Sequence, residues 1–389
     1  MDATQPGEFP LDPFPHYERM RAAAPVFQDD QSGSWHAFRY DDVQRVLSEH
    51  ATFSSRMGGD NPAGSGQLFA SSLITADPPR HRQLRSLVTQ AFTPKAVDAL
   101  APRIAALTDE LLDGVAARGG SADLIQDLAY PLPVIVISEL MGIPAQDRDR
   151  FKHWSDTIVS QTRTVPGGES QDSTTSEMVE YFLALIDRRR SHPGEDLISG
   201  LLSAEIEGQK LSVPELLGFC ALLLVAGNET TTNLIGNAVL CLAESPGTLE
   251  RLLADPALLP QTLEEVLRFR SPVQSMYRVS VAETELSGQR IPAGAPIVAW
   301  IGSANRDERQ FERPADFDVD RNPNRHLAFG HGIHFCLGAP LARLEARIAL
   351  EALLSRLPGL SLAPGARLER MESTIVYGLR ALPISWQAA

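Results

Sequence analysis

Cys336 is the side chain of this sequence whose surroundings best suit metal or nucleophilic chemistry. It lies in the glycine-rich segment 329–338, FGHGIHFCLG, directly ahead of a predicted helix over 339–354. Backbone N–H groups and the positive end of a helix dipole stabilise a thiolate at such a position, and glycines let a flat ligand approach the backbone. From these residues alone Cys336 is a metal ligand, a catalytic nucleophile or a structural thiol.

An acid and a hydroxyl stand side by side in the longest apolar stretch of the chain. Glu229 and Thr230 lie within 216–243, together with three asparagines. The stretch is long enough to cross a membrane, but a charge near the middle of a span costs a few kcal/mol. We therefore predict a buried central helix whose polar groups face a cavity. The alternatives are a threonine bonded to its own helix and a glutamate buried by chance.

The cysteine segment resembles the haem-binding signature of the cytochrome P450 family, Phe-Gly-x-Gly-x-His-x-Cys-x-Gly, at all of its fixed positions. Chance would produce this match in a chain of this length with odds on the order of one in a million. The resemblance implies that Cys336 is the axial ligand of haem b (iron protoporphyrin IX) and that Gly330 belongs to the loop that holds it. A thiolate ligand favours cleavage of the O–O bond.

The helical segment AGNETT is similar to the oxygen-binding motif of the same family. The resemblance implies that Glu229 relays protons and that the Thr230 hydroxyl hydrogen-bonds oxygen, which suits the delivery of two protons in a dry pocket. Ala226 and Gly227 are the small residues of this motif, and Gly227 is predicted to let the helix backbone open for O2 and water. Asn228 occupies the variable position and receives no catalytic role.

Four basic side chains match positions where the family binds the two haem propionates. His81 and Arg85 stand four residues apart on one predicted helical face, as in the family's His-x-x-x-Arg element. Arg278 lies in a predicted strand, and His334 lies within the cysteine segment. Cationic or hydrogen-bonding partners are what a propionate requires. The alternative for each residue is an ordinary solvated basic side chain.

Glu265 and Arg268 correspond to the family's Glu-x-x-Arg element, which we interpret as a structural network and not as catalysis. Such a pair is common by chance and contributes roughly a few tenths of a kcal/mol on a helix surface. Its place between Glu229 and the cysteine segment is what resembles the family. Beyond the cysteine, Arg343 and Arg347 form either a basic patch for a redox partner or an ordinary charged face.

The composition is that of a globular protein that folds without disulfides. The 389 residues are 43% hydrophobic and 22% charged, which is enough to bury a large core. A net charge of −14 disfavours nucleic acid and anionic lipid surfaces as partners. Cys220 and Cys241 are predicted to be small buried hydrophobic residues, because their spacing indicates no disulfide or zinc site. Residues 1–15 lack the pattern of a signal peptide, so we expect a cytoplasmic protein.

Sequence periodicity predicts a mainly α chain with a small β region, in a single domain over 1–389. The predicted fold is that of the cytochrome P450 family, with haem between the long central helix and the cysteine loop. Two segments, 54–72 and 160–176, are predicted loops that either act as lids or merely connect helices. Helices are predicted over 41–50 behind an Asp cap, 80–92, 95–118, 177–191, 213–243 and 261–269, and strands over 34–39, within 276–301 and within 375–386.

These features together predict a bacterial-type haem-thiolate monooxygenase that inserts one atom of O2 into an apolar small molecule. The reaction would be hydroxylation or epoxidation, for example in secondary metabolism, with electrons from NAD(P)H through a reductase and a separate ferredoxin or flavodoxin. The alternatives are a peroxide-driven peroxygenase and a non-catalytic haem ligand-binding or sensor protein. Dedicated peroxygenases of the family lack the acid–alcohol pair that this chain carries.

Substrate identity is limited only by the apolar character of the predicted pocket. A macrolide, a terpene, a steroid or a fatty acid would each suit such a lining. The predicted lining residues are Leu68, Phe69, Leu73, Ile74, residues 273–276 and residues 375–377.

Overall fold

The computed structural model of the protein describes residues 12–56, 69, 71–89, 92–161, 171–205 and 208–387. These residues are mainly helical with small sheets, which confirms the predicted fold class. The helices are α1 (Phe14–Ala23), α2 (Tyr40–Ser48), α3 (Arg80–Thr89), α4 (Pro94–Asp98), α5 (Ala101–Ala116), α6 (Pro131–Leu140), α7 (Arg148–Gln161), α8 (Gln171–Ser191), α9 (Leu197–Ser203), α10 (Val213–Glu244), α11 (Pro246–Ala254), α12 (Leu259–Phe269), α13 (Ile301–Ala304) and α14 (Ala339–Arg356).

The strands form a five-stranded, a three-stranded and a two-stranded sheet within the described residues. Their orders are β1-β2-β8-β5-β3, β4-β10-β9 and β6-β7. The strands are β1 (Val26–Gln28), β2 (Trp35–Ala37), β3 (Phe53–Ser54), β4 (Ser121–Asp123), β5 (Met276–Ser280), β6 (Thr284–Leu286), β7 (Gln289–Ile291), β8 (Pro296–Ala299), β9 (Ser361–Leu362) and β10 (Pro383–Ser385).

The chain divides into two compact units. Unit 1 comprises Met1–Ser54, Pro102–Ala129 and Thr230–Ala389, and unit 2 comprises Ser55–Ala101 and Tyr130–Glu229. The chain passes from unit 2 to unit 1 inside α10, which is one continuous helix. The single domain expected over the whole sequence stays a prediction.

The core of unit 1 is built around the five-stranded sheet. β5 pairs antiparallel with β8, so that Arg278 stands opposite Ile297, and β2 pairs with β8 in parallel. Val43 and Phe53 are fully buried against this sheet, where β-branched and aromatic side chains pack on a pleated surface. The sheet thereby fixes the strand that carries Arg278.

Two predicted helix details are wrong, each for a physical reason. The single helix predicted over 95–118 is two helices, α4 and α5, because Pro102 has no N–H and is tolerated only at the start of a helix. The predicted Asp cap of α2 is also wrong, since the N-cap residue is Arg39 and makes no side-chain cap. A carboxylate distant in sequence takes this role, with Tyr40 N donating to Asp307 Oδ2 at 2.7 Å.

The two predicted loops are described only in part. Residues 57–68, 70 and 162–170 lie outside the described residues, so that a lid role for either loop stays a prediction. The second loop is shorter than predicted, because α7 runs to Gln161 and α8 begins at Gln171. Repeated serine and threonine residues concealed this helix start, since both residue types also favour turns.

Helix α10 is long and apolar enough to cross a membrane by composition and length. At a rise of 1.5 Å per residue its 32 residues span about 48 Å. It nevertheless buries Asn228, Glu229, Asn233 and Asn237 within the protein, each at most 8% exposed. Such polar groups belong in a protein interior that supplies partners, so we interpret α10 as a central core helix.

Candidate active site

The loop around Cys336 is shaped by its own backbone and by the end of α2. Cys336 N donates to Phe329 O at 2.9 Å, and Gly330 N donates to Leu327 O at 2.8 Å. Gly330 and Gly332 both have positive φ, +74° and +72°. A Cβ atom on Gly332 would lie 2.8 Å from Ser48 Cα, so that only glycine lets the loop pack this closely.

Cys336 differs from the other two cysteines in exposure. Cys220 and Cys241 are each 1% exposed, which confirms them as small buried residues, whereas Cys336 is partly exposed. Burial raises the pKa of the Cys220 thiol to about 12. Cys336 stands just ahead of the 18-residue helix α14, where the helix dipole favours a thiolate. An accessible soft ligand in a glycine loop suits the axial position of a haem.

A charged cluster lies behind the cysteine loop, and the sequence did not predict it. Arg343 donates Nε and Nη2 to the two carboxylate oxygens of Glu264 at 2.6 and 2.8 Å, while its guanidinium lies 4.4 Å from the centre of the Phe329 ring. His326 Nε2 lies 3.0 Å from Glu264 Oε2. Burial would raise the pKa of Glu264, but these hydrogen bonds outweigh it and lower the pKa to about 2.

These contacts decide between the two interpretations of the arginines beyond Cys336. Glu264 balances the charge of Arg343, and Arg347 donates to Glu351 one turn further along α14 at 3.0 Å. The arrangement favours the ordinary charged face over a basic patch. Arg343 instead packs on Phe329, whose carbonyl receives the N–H of Cys336.

The acid and the hydroxyl of α10 differ in their surroundings. Glu229 is 8% exposed, whereas Thr230 is partly exposed. Leu222 and Ala226 precede Thr230 at intervals of four and are also accessible, so they share one side of the helix with it. This accessible apolar stripe fits the face of a flat, mostly apolar cofactor. Of the predicted pair Glu229 and Thr230, the Thr230 hydroxyl therefore lies at the end of this apolar stripe.

Gly227 has a packing role that the sequence did not predict, and its predicted role in opening the helix stays a prediction. α10 is continuous through this residue, so the described helix shows no opened turn there. A Cβ atom on Gly227 would lie 2.9 Å from Cδ1 of Ile137 in α6. The glycine is needed for close packing of α6 on α10, which sequence periodicity cannot reveal.

Asn228, for which no catalytic role is predicted, makes a buried contact with α7. Its Nδ2 donates to Ser155 Oγ at 2.8 Å, and Asn228 and Ser155 are each 1% exposed. The sequence signal was the polar residue itself, since a buried amide needs a hydrogen-bond partner. Its partner lies 73 residues away and could not be identified from the chain alone.

The four predicted propionate-binding residues occur in both units. His81 and Arg85 lie on α3 in unit 2, with His81 3% exposed and Arg85 partly exposed. Arg278 is 4% exposed on β5, and His334 ends a short 3-10 turn over Gly332–His334, both in unit 1. Their convergence on one haem stays a prediction.

The Glu-x-x-Arg element forms a buried network, as predicted. Arg268 is 0% exposed and donates to both carboxylate oxygens of Glu265 at 2.8 and 2.7 Å. The remaining guanidinium N–H groups bind the carbonyl oxygens of Asn305, Pro314 and Asp316. Three carbonyl groups from two backbone segments are thereby fixed to α12, which is a structural role.

The predicted substrate-lining residues are brought together in part. Val273 and Val376 form an antiparallel bridge, and Gln274 N donates to Ile375 O at 2.7 Å. The prediction that Tyr377 lines the pocket is wrong, because this residue is 0% exposed and packs against Phe14. Phe14 belongs to α1, a helix that the sequence did not predict. Phe69, Leu73 and Ile74 belong to unit 2, and Leu68 lies outside the described residues.

A groove of about 550 Å³ in unit 1 is separate from the predicted site residues. It is lined by Cys241, Glu244, Arg313, Asp316 and further residues near the C-terminal end of α10. Cys241 is eleven residues beyond Thr230, or about 16 Å along the helix. The groove is polar and holds none of the residues predicted to do chemistry.

Comparison with known proteins supplies the family. The family model described as Cytochrome P450 matches residues 34–376. The chain is 44% identical over 386 residues to cytochrome P450 109 of Bacillus spizizenii, covering 96% of this chain and 92% of that protein. It is 42% identical to the cytochrome P450 monooxygenase PikC of Streptomyces venezuelae, covering 98% and 92%.

A solved structure shares both fold and sequence with the chain. The crystal structure of CYP109E1 from Bacillus megaterium in complex with testosterone matches with a TM-score of 0.87 and 44% identity, covering 97% of this chain and 99% of that one. The cysteine loop lies within residues 34–376, the region that the family model matches. The chain belongs to the cytochrome P450 family and is a monooxygenase of that family.

Proposed function

We propose that this protein is a haem-thiolate monooxygenase in which Cys336 binds the haem iron and Glu229 and Thr230 deliver protons. The overall reaction is RH + O2 + 2 e⁻ + 2 H⁺ → ROH + H2O for hydroxylation of an apolar substrate RH. The observation that carries the proposal is the accessible Cys336 thiol in a fixed glycine loop at the start of α14. Haem, when bound, supplies the iron at which O2 is reduced and its O–O bond is broken.

The residues of the chain have separate tasks in this proposal. Glu229 passes the proton of its carboxyl group on, and the resulting carboxylate is then reprotonated from solvent, which its slight exposure allows. Thr230 donates its hydroxyl hydrogen on the accessible side of α10. Leu222 and Ala226 on the same side exclude bulk water, which would otherwise allow reducing equivalents to be lost as peroxide.

The proposed cofactor-binding residues have the side-chain chemistry that haem requires. His81, Arg85, Arg278 and His334 are proposed to bind the two propionates, since cationic N–H donors pair well with carboxylates. The small residues Gly330 and Ala226 allow the backbone to approach a flat macrocycle, whereas Gly227 beside Ala226 packs on α6.

The substrate is proposed to be an apolar molecule with fused or large rings. CYP109E1 has been solved with testosterone and with corticosterone, and erythromycin C-12 hydroxylase of Saccharopolyspora erythraea is 41% identical to this chain. Val273, Ile375 and Val376 are apolar side chains on two paired segments that could contact such a substrate. We place a steroid first and a macrolide second.

The electron donor is proposed to be a separate ferredoxin or flavodoxin with its reductase, fed by NAD(P)H in the cytoplasm. Phe335 is 43% exposed beside Cys336 and offers an apolar contact for such a partner. Because Glu264 and Glu351 balance the nearby arginines, the contact would depend less on ionic strength than a bare basic patch would.

A spectral titration of the purified ferric protein tests the proposal. Testosterone, corticosterone, a macrolide and a long-chain fatty acid are added in turn while the Soret band is recorded. A shift from low spin to high spin identifies a ligand that displaces water from the iron, and Cys336→Ala should abolish the thiolate spectrum. A wild-type protein that binds no haem would refute the assignment of Cys336.

Turnover with labelled oxygen separates the alternatives. Label from ¹⁸O2 in the product, with electron donors present, supports the monooxygenase. Label only from added H2¹⁸O2 indicates a peroxygenase, and no turnover with any competent donor indicates a ligand-binding protein.

A further inference from the structure

We propose that the contact between Ser155 and Asn228 is a positioning device for Glu229 and Thr230. This inference rests on the proton-delivery role proposed above. Ser155 belongs to α7, and Asn228 directly precedes the acid in α10. We call this contact the Ser155–Asn228 clip. Both residues act through their neighbours on α10, and neither is proposed to touch oxygen or substrate.

The clip joins one hydroxyl to both the side chain and the backbone of a single helical turn. Asn228 Nδ2 donates to Ser155 Oγ at 2.8 Å, and Ser155 Oγ donates to Leu224 O at 3.4 Å. Leu224 O is the carbonyl that lies four residues before Asn228, where the helical N–H of Asn228 points. Ser155 therefore ties together the start and the end of the turn that leads into Glu229.

The surroundings make this contact a restraint and not a passing surface interaction. Asn228 and Ser155 are each 1% exposed, and Leu224 is 0% exposed. Water cannot compete for hydrogen bonds there, so loss of one partner leaves the other unsatisfied. Oδ1 of Asn228 has no donor among the described residues, so the hydrogen bond from Nδ2 to Ser155 is what anchors this amide.

A second helix holds the same turn from another side. Ile137 of α6 packs so closely on Gly227 that a Cβ atom there would lie 2.9 Å from Ile137 Cδ1. The turn is thus fixed by packing at Gly227 and by hydrogen bonds at Asn228. Since successive helical residues are separated by a fixed rotation, fixing Asn228 also fixes the direction of the Glu229 side chain. A loosened turn would misdirect the acid without removing it.

The clip predicts a defect in coupling and not in haem binding. Misplaced proton delivery diverts electrons to O2 + 2 e⁻ + 2 H⁺ → H2O2, while substrate still binds. We expect Ser155→Ala and Asn228→Ala each to raise the peroxide-to-product ratio by about three- to tenfold, which converts to about 0.6–1.4 kcal/mol. Both substitutions break the same contact, so the peroxide-to-product ratio of the double variant should equal that of each single variant. Independent effects would instead multiply.

The experiment uses the holoenzyme with its electron donors and a substrate found by spectral titration. Peroxide, product and NAD(P)H consumption are measured for wild type, the two single variants and the double variant. Ser155→Thr keeps the hydroxyl and should restore coupling. Ser138→Ala is the matched control, since it removes a buried hydroxyl of α6 that donates within its own helix, to Ile135 O.

The possible outcomes separate the clip from the proposed function. Lowered thermal stability with an unchanged peroxide-to-product ratio would overturn the clip, as would additive effects in the double variant. If Thr230→Ala fails to alter coupling, the proposed proton-delivery role itself is wrong. If Thr230→Ala uncouples the enzyme and both clip variants do not, the clip alone is refuted. A shifted ratio in Asn228→Ala and Ser155→Ala, with Ser138→Ala at the wild-type value, supports it.

Discussion

Replacing Glu345 by glutamine is expected to stabilise the protein progressively as the pH rises from 5.5 to 7.5. Glu345 lies on α14, is 1% exposed, and its Oε2 has no hydrogen-bond partner among the described residues. Burial raises the pKa of this carboxyl from 4.5 to about 8. The folded protein therefore keeps a proton that the unfolded chain releases, so that rising pH favours unfolding.

The magnitude follows from the pH window between the two pKa values. At 1.36 kcal/mol for each pH unit, wild type should lose about 2.7 kcal/mol of stability between pH 5.5 and pH 7.5 relative to Glu345→Gln. The difference begins above pH 4.5 and levels off above about pH 8. Any constant cost of burying the glutamine amide cancels when the two pH values are compared.

Thermal unfolding of the holoenzymes at several pH values measures this difference. For a chain of this size roughly 1–2 °C of Tm per kcal/mol is expected, so the gap between variant and wild type should widen by roughly 3–5 °C. Glu351→Gln is the control on the same helix, because Glu351 is paired with Arg347 and its side chain is 44% exposed. A gap that stays constant with pH would show that Glu345 remains charged or finds a partner, which would refute the reasoning.

Four further outcomes are expected. Gly332→Ala places a side chain at φ +72° and 2.8 Å from a Cα atom of α2. It should lower the free energy of unfolding by about 1–3 kcal/mol and reduce haem retention, which the Soret absorbance retained after heating measures. Arg80 Nε donates to Glu215 at 2.6 Å, and the two side chains are 30% and 13% exposed. A double-mutant cycle should therefore give a coupling free energy of about 0.5–2 kcal/mol, and additive effects of the single variants would contradict a stabilising contact. Glu229→Gln should slow turnover by roughly 10²-fold, and Thr230→Ala should divert electrons to peroxide at nearly wild-type NAD(P)H consumption; unchanged coupling would contradict its role.

Local chemistry made the cysteine segment and the central helix predictable. Six fixed positions within ten residues carry the resemblance of the Cys336 loop to the haem-binding signature of the family. The apolar run that contains Glu229 likewise predicted α10 to within one residue at its C-terminal end. Neither signal depends on residues distant in sequence.

Several elements escaped prediction because their patterns carry no helical stripe. α6, with the sequence PLPVIVISEL, is buried on most sides and rich in β-branched residues, which favours strand over helix in a local assessment. α1 begins at Phe14 among prolines and has little amphipathic character, yet it buries Tyr17 at 4% exposure. Tertiary packing outweighs local propensity in both helices.

The sequence by itself indicated the family and predicted the ligand and the acid–alcohol pair, since each of these signals lies in neighbouring residues. Only the tertiary structure decided what holds them. It paired Arg343 with Glu264 and Asn228 with Ser155, contacts that join residues 79 and 73 positions apart. Such partners are selected by the packing of helices, because a buried polar group must find its hydrogen bond wherever the fold brings a complementary atom.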